Sequence, residues 1–128
     1  MFCSLCCSRF AHFWAAQNEK WLHKSIKDDK VIGSNTVGTL VFADAGPNTR
    51  STQIFINYAD NSRLDAMGFA PFGKVISGMD VATKINNPTP GVSGGVDQGE
   101  YESNGNAWIR QKYPKTNFIT GAAVTKSS

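Results

Sequence analysis

The chain has 128 residues, 41% hydrophobic and 11% aromatic, which suits one globular domain with a modest core. Its 13 basic and 10 acidic side chains leave +3 spread without a block, so charge makes no case for nucleic acid, and no stretch approaches the roughly 18 apolar residues of a membrane span. All three cysteines, Cys3, Cys6 and Cys7, stand at the front, so a disulfide framework is not what holds the body of the chain together.

Residues 1–14 are apolar and aromatic but lack the basic start and small-residue cleavage site of a secretory signal, and residues 1–20 read as an atypical leader, poorly ordered. Cys3, Cys6, Cys7 and His12 are ordinary zinc ligands by type. A second pair at matched distance is missing and His23 is a poor substitute, so no metal site is expected. Composition turns polar over residues 15–34, where Lys27-Asp28-Asp29-Lys30 predicts a solvated turn and Trp21 and Ile26 are the expected anchors to a core.

Residues 38–43 (Gly-Thr-Leu-Val-Phe-Ala) predict a strand, stopped by the Gly-Pro-Asn-Thr content of residues 45–50. Over residues 51–58, Gln53, Phe55 and Asn57 alternate with Ile54, Ile56 and Tyr58. A period of two places the Gln53 amide beside the Phe55 ring on one strand face. Taken alone, that mixed face suits a solvated sheet surface as well as a binding surface. A further strand is expected over residues 72–76, and the spacing of Met79, Val81, Ala82 and Ile85 predicts a short helix over 79–86.

Residues 88–96 form a Pro/Gly loop that matches no phosphate-binding pattern. Asp97 can cap a helix running to about Tyr113, weakened by Gly99 and Gly105 and stopped by Pro114. Residues 117–124 are expected to close the chain as a last strand, and neither repeats nor a second domain is evident.

Ala43-Asp44-Ala45-Gly46-Pro47-Asn48-Thr49, then Gln53-Ile54-Phe55-Ile56-Asn57, Arg63-Leu64-Asp65, Phe69-Ala70-Pro71-Phe72-Gly73-Lys74-Val75 and Gly78-Met79-Asp80-Val81 follow one another in an informative order. In that order and spacing the chain resembles the cyclophilin family of peptidyl-prolyl cis-trans isomerases. The resemblance covers roughly residue 21 to the final predicted strand and is strongest over 33–81. It implies a mainly β fold: a partial cyclophilin-like antiparallel β-barrel over residues 21–128, lacking the family's first strands and first helix, with two short to medium helices in the C-terminal half.

The resemblance also implies a groove on the outside of the barrel that takes proline-containing polypeptides without a cofactor. Phe55 then corresponds to the floor of the proline pocket, Gln53 to the amide that bonds the peptide backbone, and Leu64 to a pocket wall. Ala43, Asp44 and Ala45 lie on the strand that pairs with the peptide. Phe69 stands where many members have histidine, and Thr49 and Arg50 lie at the mouth of a neighbouring shallower pocket. Arg63 replaces the tryptophan of cyclosporin-sensitive members, which implies weak or no cyclosporin binding. Asp44 replaces asparagine or threonine with a group that only accepts hydrogen bonds.

The family's catalytic arginine sits in a segment of the form Phe-x-Arg-Val-Ile-Pro-Gly-Phe-Met-x-Gln, which this sequence does not repeat. Arg9, Trp14 and Gln17 have the family's five-then-three spacing of Arg, Phe and Gln but no Pro-Gly between them, which weighs against Arg9 as a surrogate. The expected function is therefore X-Pro isomerisation with reduced or absent turnover. The alternatives are a non-catalytic proline-peptide binding module or chaperone-like partner, or a non-functional fragment.

Overall fold

The strand-forming residues on either side of the Gly-Pro-Asn-Thr turn build the centre of an antiparallel sheet. The computed structural model describes residues 2–5 by their backbone pairing, and residues 21, 24–89 and 96–126. Among the described residues the strands are β1 (Phe2–Leu5), β2 (Thr39–Phe42), β3 (Ile54–Asn57) and β4 (Pro71–Lys74), in the order β1-β3-β2-β4. β2 and β3 pair with Leu40 opposite Ile56, Val41 opposite Phe55 and Phe42 opposite Ile54. Facing residues share a side of the sheet, so Val41 and Phe55 lie on one face and Leu40, Phe42, Ile54 and Ile56 on the other.

β4 joins the far side of β2, with a register irregularity between Leu40 and Val41. Pro71 opens it at the sheet edge, the place where a missing N–H is tolerated. β4 thus begins one residue before the expected strand and ends two before it, leaving Ile76 exposed. β1 pairs with β3, from Phe2 opposite Asn57 to Leu5 opposite Ile54. No strand was expected there, because four residues inside an aromatic leader carry little pattern of their own.

Val41, Phe55 and Leu64 form the buried apolar cluster, with Ala43 and Phe69 packed against it. Burying side chains of this size contributes about 1.5–3 kcal/mol each, as an upper figure. Leu64 comes from a 3₁₀ helix, Ser62–Met67, that the sequence reading did not foresee. Gly68 ends it at φ 91, a left-handed conformation that suits glycine, and Phe69 N–H then donates to the Leu64 carbonyl at 3.3 Å. This reversal returns Phe69 to the cluster.

A polar network fastens the same segment to the sheet. The buried Asn57 Nδ2 donates to Asn35 Oδ1 (3.0 Å) and Thr39 Oγ1 (2.8 Å), while Asn57 Oδ1 accepts from Asn61 Nδ2 (2.8 Å). Asn35 Nδ2 reaches onward to Asp65 Oδ1 (2.7 Å) and the Phe69 carbonyl (2.8 Å). These buried amides are therefore satisfied by one another, as burial demands.

Toward the carboxyl end, α1 (Met79–Ala82) and α2 (Gln98–Lys112) match the expected helices, α1 ending sooner. Asp97 Oδ1 accepts from Glu100 N–H at 3.0 Å, the predicted cap. Gly105, at φ 64 and ψ −158, breaks α2 internally, a conformation that disfavours a side chain.

Two expectations fail here. Residues 117–124 form no strand, because among the described residues nothing hydrogen-bonds along them as a neighbouring strand and β propensity alone builds no ladder. Trp21 and Ile26 are 48% and 47% exposed, so neither side chain is an anchor in the core. Instead Ile26 pairs with Arg50 through the backbone, and the buried Arg50 guanidinium holds residues 27–29 by bonds to Asp28, Asp29 and the Lys27 carbonyl.

Candidate functional site

On the sheet face that carries Phe55, four of the sequence-predicted residues meet: Ala43, Phe55, Leu64 and Phe69. Phe55 is 6% exposed, in the cluster with Val41 and Leu64. The half-buried Phe69 sets its ring edgewise against Phe55, with centroids 6.0 Å apart and planes at 69°. Edge-to-face contact of this kind is favourable beyond the area it buries. Ala43 borders the cluster, and its N–H donates to the Gln53 carbonyl at 3.0 Å, extending the β2–β3 ladder by one pair. Gln53 is held in line with Phe55 by that bond, and its Nε2 donates to the Tyr101 hydroxyl at 2.8 Å.

Turn residues fix the next stretch. Asp44 Oδ1 accepts from Gly46 N–H at 3.2 Å, and Thr49 Oγ1 accepts from Ala45 N–H at 2.8 Å while donating to the Gly46 carbonyl at 2.7 Å. Asp44 and Thr49 thereby shape the 43–50 turn, which Asn48 helps to close at φ 60.

Arg50 is not brought to this face. Its side chain is 5% exposed, with Nη1 3.0 Å from Asp29 Oδ2, Nε 3.4 Å from Asp28 Oδ1 and the guanidinium carbon 5.7 Å from the centre of the Phe42 ring. Burial of a cation demands partners of this kind, so the side chain serves the fold rather than a pocket mouth. Arg63 is exposed beside Leu64, and its Nη1 donates to Asn61 Oδ1 at 3.2 Å. Arg9, Cys6, Cys7 and His12 lie outside the described residues, as does most of the 88–96 loop. Among the described residues no group of three His, Cys, Asp or Glu side chains is placed to hold a metal, and no helix is long and apolar enough to cross a membrane.

Asp65 ties the 3₁₀ helix that carries Leu64 to Ser34 and Asn35. Its carboxylate accepts from Ser34 Oγ (2.5 Å), Asn35 Nδ2 (2.7 Å) and Asn35 N–H (2.9 Å). The Ser34 hydroxyl first and Asn35 next hold this carboxyl below its ordinary value of 3.8. Sequence reading missed this support and Tyr101 as well. Neither had a local signal: Asp65 meets Ser34 and Asn35, 31 and 30 residues away, and Tyr101 meets Gln53, 48 residues away.

Phe55 and Leu64 thus lie in the buried apolar cluster, bordered by Ala43 and the half-buried Phe69, with Gln53 on the same strand face as Phe55. The model of the family described as cyclophilin type peptidyl-prolyl cis-trans isomerase/CLD matches residues 11–110. A peptidyl-prolyl cis-trans isomerase of Acinetobacter baylyi is 44% identical over 81 residues, 59% of this chain and 43% of that protein. Peptidyl-prolyl cis-trans isomerase B of Escherichia coli is 34% identical over 91 residues, 64% of this chain and 56% of that protein. Peptidyl-prolyl cis-trans isomerase A of Dickeya dadantii is 38% identical over 80 residues, 58% of this chain and 42% of that protein. The chain spans about half the length of these relatives.

Proposed function

Because this chain belongs to the cyclophilin-type peptidyl-prolyl cis-trans isomerase family, we propose that its Phe55 face is a groove for proline-containing polypeptides, of the kind that isomerises X-Pro bonds. The observation that carries this reading is the convergence of Phe55, Leu64, Ala43 and Phe69 in one packed set, with Gln53 adjacent on the same strand. Proline's ring rests against Phe55 and Leu64 as the edge of Phe69 shifts aside, and Gln53 bonds the peptide backbone. Ala43, Asp44 and Ala45 flank the bound chain, and no cofactor takes part. Arg63, standing in place of tryptophan, leaves cyclosporin weakly bound or unbound. The open sheet is one arc of the family's antiparallel barrel, carried by a domain over residues 21–128 to which Phe2–Leu5 of the leader adds a strand.

Rotation about X-Pro meets a barrier of about 18–20 kcal/mol, since resonance gives the bond double-bond character. A binding site lowers it by fixing the ring, letting the carbonyl side turn, and donating a hydrogen bond to the imide nitrogen as it becomes pyramidal. Such a donor acts only in the transition state, and loss of one typically costs about 3–4 kcal/mol of barrier reduction. In this sequence no residue matches the family's arginine segment, and the buried Arg50 guanidinium is bonded to Asp28 and Asp29. That observation favours a second reading, in which the groove binds proline peptides with little or no turnover.

A protease-coupled isomerisation assay on a proline tetrapeptide, run beside calorimetric affinity, tests both. Phe55→Ala is expected to weaken binding more than Thr49→Ala, and turnover to be a small fraction of that of a complete family member. Equal losses for the two variants would refute the groove. A rate comparable to a complete member and abolished by Arg9→Ala would restore full catalysis and make Arg9 the donor.

A further inference from the structure

We infer that Tyr101 is a positioning residue for Gln53, an inference that rests on the groove proposed above and extends it to α2. The Tyr101 hydroxyl accepts from Gln53 Nε2 at 2.8 Å, joining residues 48 apart in sequence. Both side chains are half-buried. Each end of the contact is built in. The Gln53 backbone is held by the Ala43 N–H, at 3.0 Å. Tyr101 lies in the first turn of α2, where its own N–H donates to the Asp97 carbonyl at 3.2 Å and Asp97 Oδ1 caps the turn through Glu100.

A glutamine carboxamide carries two N–H donors and an oxygen with two lone pairs. The tyrosine takes one donor, which leaves the second donor and the oxygen to meet a peptide backbone. It also restrains a side chain that otherwise loses rotamer freedom when a ligand binds. Ordering one such side chain costs about 0.5–1.5 kcal/mol, equivalent to roughly 2- to 12-fold in affinity. Tyr101 thus presents the amide ready-oriented, and the capped start of α2 is part of the groove's supporting structure.

The test is a double-mutant cycle on the full chain, reading calorimetric affinity for a proline tetrapeptide in the unsubstituted protein, Tyr101→Phe, Gln53→Ala and the double variant. Tyr101→Phe keeps the ring and removes only the hydroxyl. It is expected to raise Kd by about 2- to 12-fold with Gln53 present and to have almost no effect in the Gln53→Ala background. An unchanged or lower Kd, or the same weakening in both backgrounds, would overturn the positioning role. If Phe55→Ala and Gln53→Ala weaken binding while Tyr101→Phe does not, the groove stands and the role of Tyr101 falls. If no form binds the peptide, the groove falls and the positioning role with it.

Discussion

Replacing Asn57 with alanine removes three hydrogen bonds from a position that water does not reach. Asn57 is 0% exposed, donates to Asn35 Oδ1 and Thr39 Oγ1, and accepts from Asn61 Nδ2. Each bond contributes about 1 kcal/mol net, and a buried partner left unpaired adds to that loss. Thr39 keeps its bond to the Thr36 carbonyl and Asn35 keeps its bonds to Asp65 and Phe69, but Asn35 Oδ1 loses its donor. The expected cost is therefore about 3–4 kcal/mol, a large share of the roughly 5–15 kcal/mol that holds a domain folded. With a urea slope of about 2 kcal/mol/M, the unfolding midpoint followed by circular dichroism falls by about 1.5–2 M. A midpoint within about 0.3 M of the unsubstituted chain would show that the amide network does not hold the 62–67 helix to the sheet, and would refute the reasoning.

Asp65 sets an acid limit. Its carboxyl is held below 3.8 when folded, so the unfolded chain takes up the proton first; the stability it contributes is present above 3.8 and lost as pH falls through the lower folded value. Urea midpoints measured from pH 6 down to pH 2 are expected to drop more steeply for the unsubstituted chain than for Asp65→Asn, and parallel slopes would contradict this. Arg50→Ala removes a buried cation from Asp28, Asp29 and the Lys27 carbonyl; thermal melting should show a loss of about 1.5–3 kcal/mol, with faster amide exchange at Ile26. A loss below about 0.5 kcal/mol, the level of ordinary surface substitutions, would make the contact a surface one. Asp97→Ala deletes the cap on Glu100 and should lower helicity at a cost of about 1 kcal/mol; unchanged ellipticity near 222 nm would count against it.

Strands and caps were legible because their causes are local. Residues 39–42 and 54–57 are rich in β-branched and aromatic side chains, and Asp97 precedes a helix that Pro114 follows, so short-range chemistry decides each. The meeting of Phe55 with Leu64, Phe69 and Ala43 was reached through the family resemblance, since alternation alone supplies only the Gln53–Phe55 face. What escaped depends on contacts between distant segments. Arg50 was placed at a pocket mouth by alignment, yet Asp28 and Asp29, more than 20 residues away, draw its side chain inward. Residues 117–124 have strand-like composition, but a strand exists only with a pairing edge, and composition does not report one. Trp21 and Ile26 were given a core role because large apolar residues are usually buried; here a backbone bridge and a buried arginine attach that segment, leaving both side chains half-exposed.

The central claim, that the Phe55 face receives a proline peptide, is tested most directly by titrating the isotope-labelled chain with a proline tetrapeptide and following amide resonances. Shifts at residues 43–45, Gln53, Phe55, Leu64 and Phe69 that saturate together, while residues 117–126 stay unmoved, are the predicted result. Saturable shifts confined to other residues, or none at these seven, would contradict it.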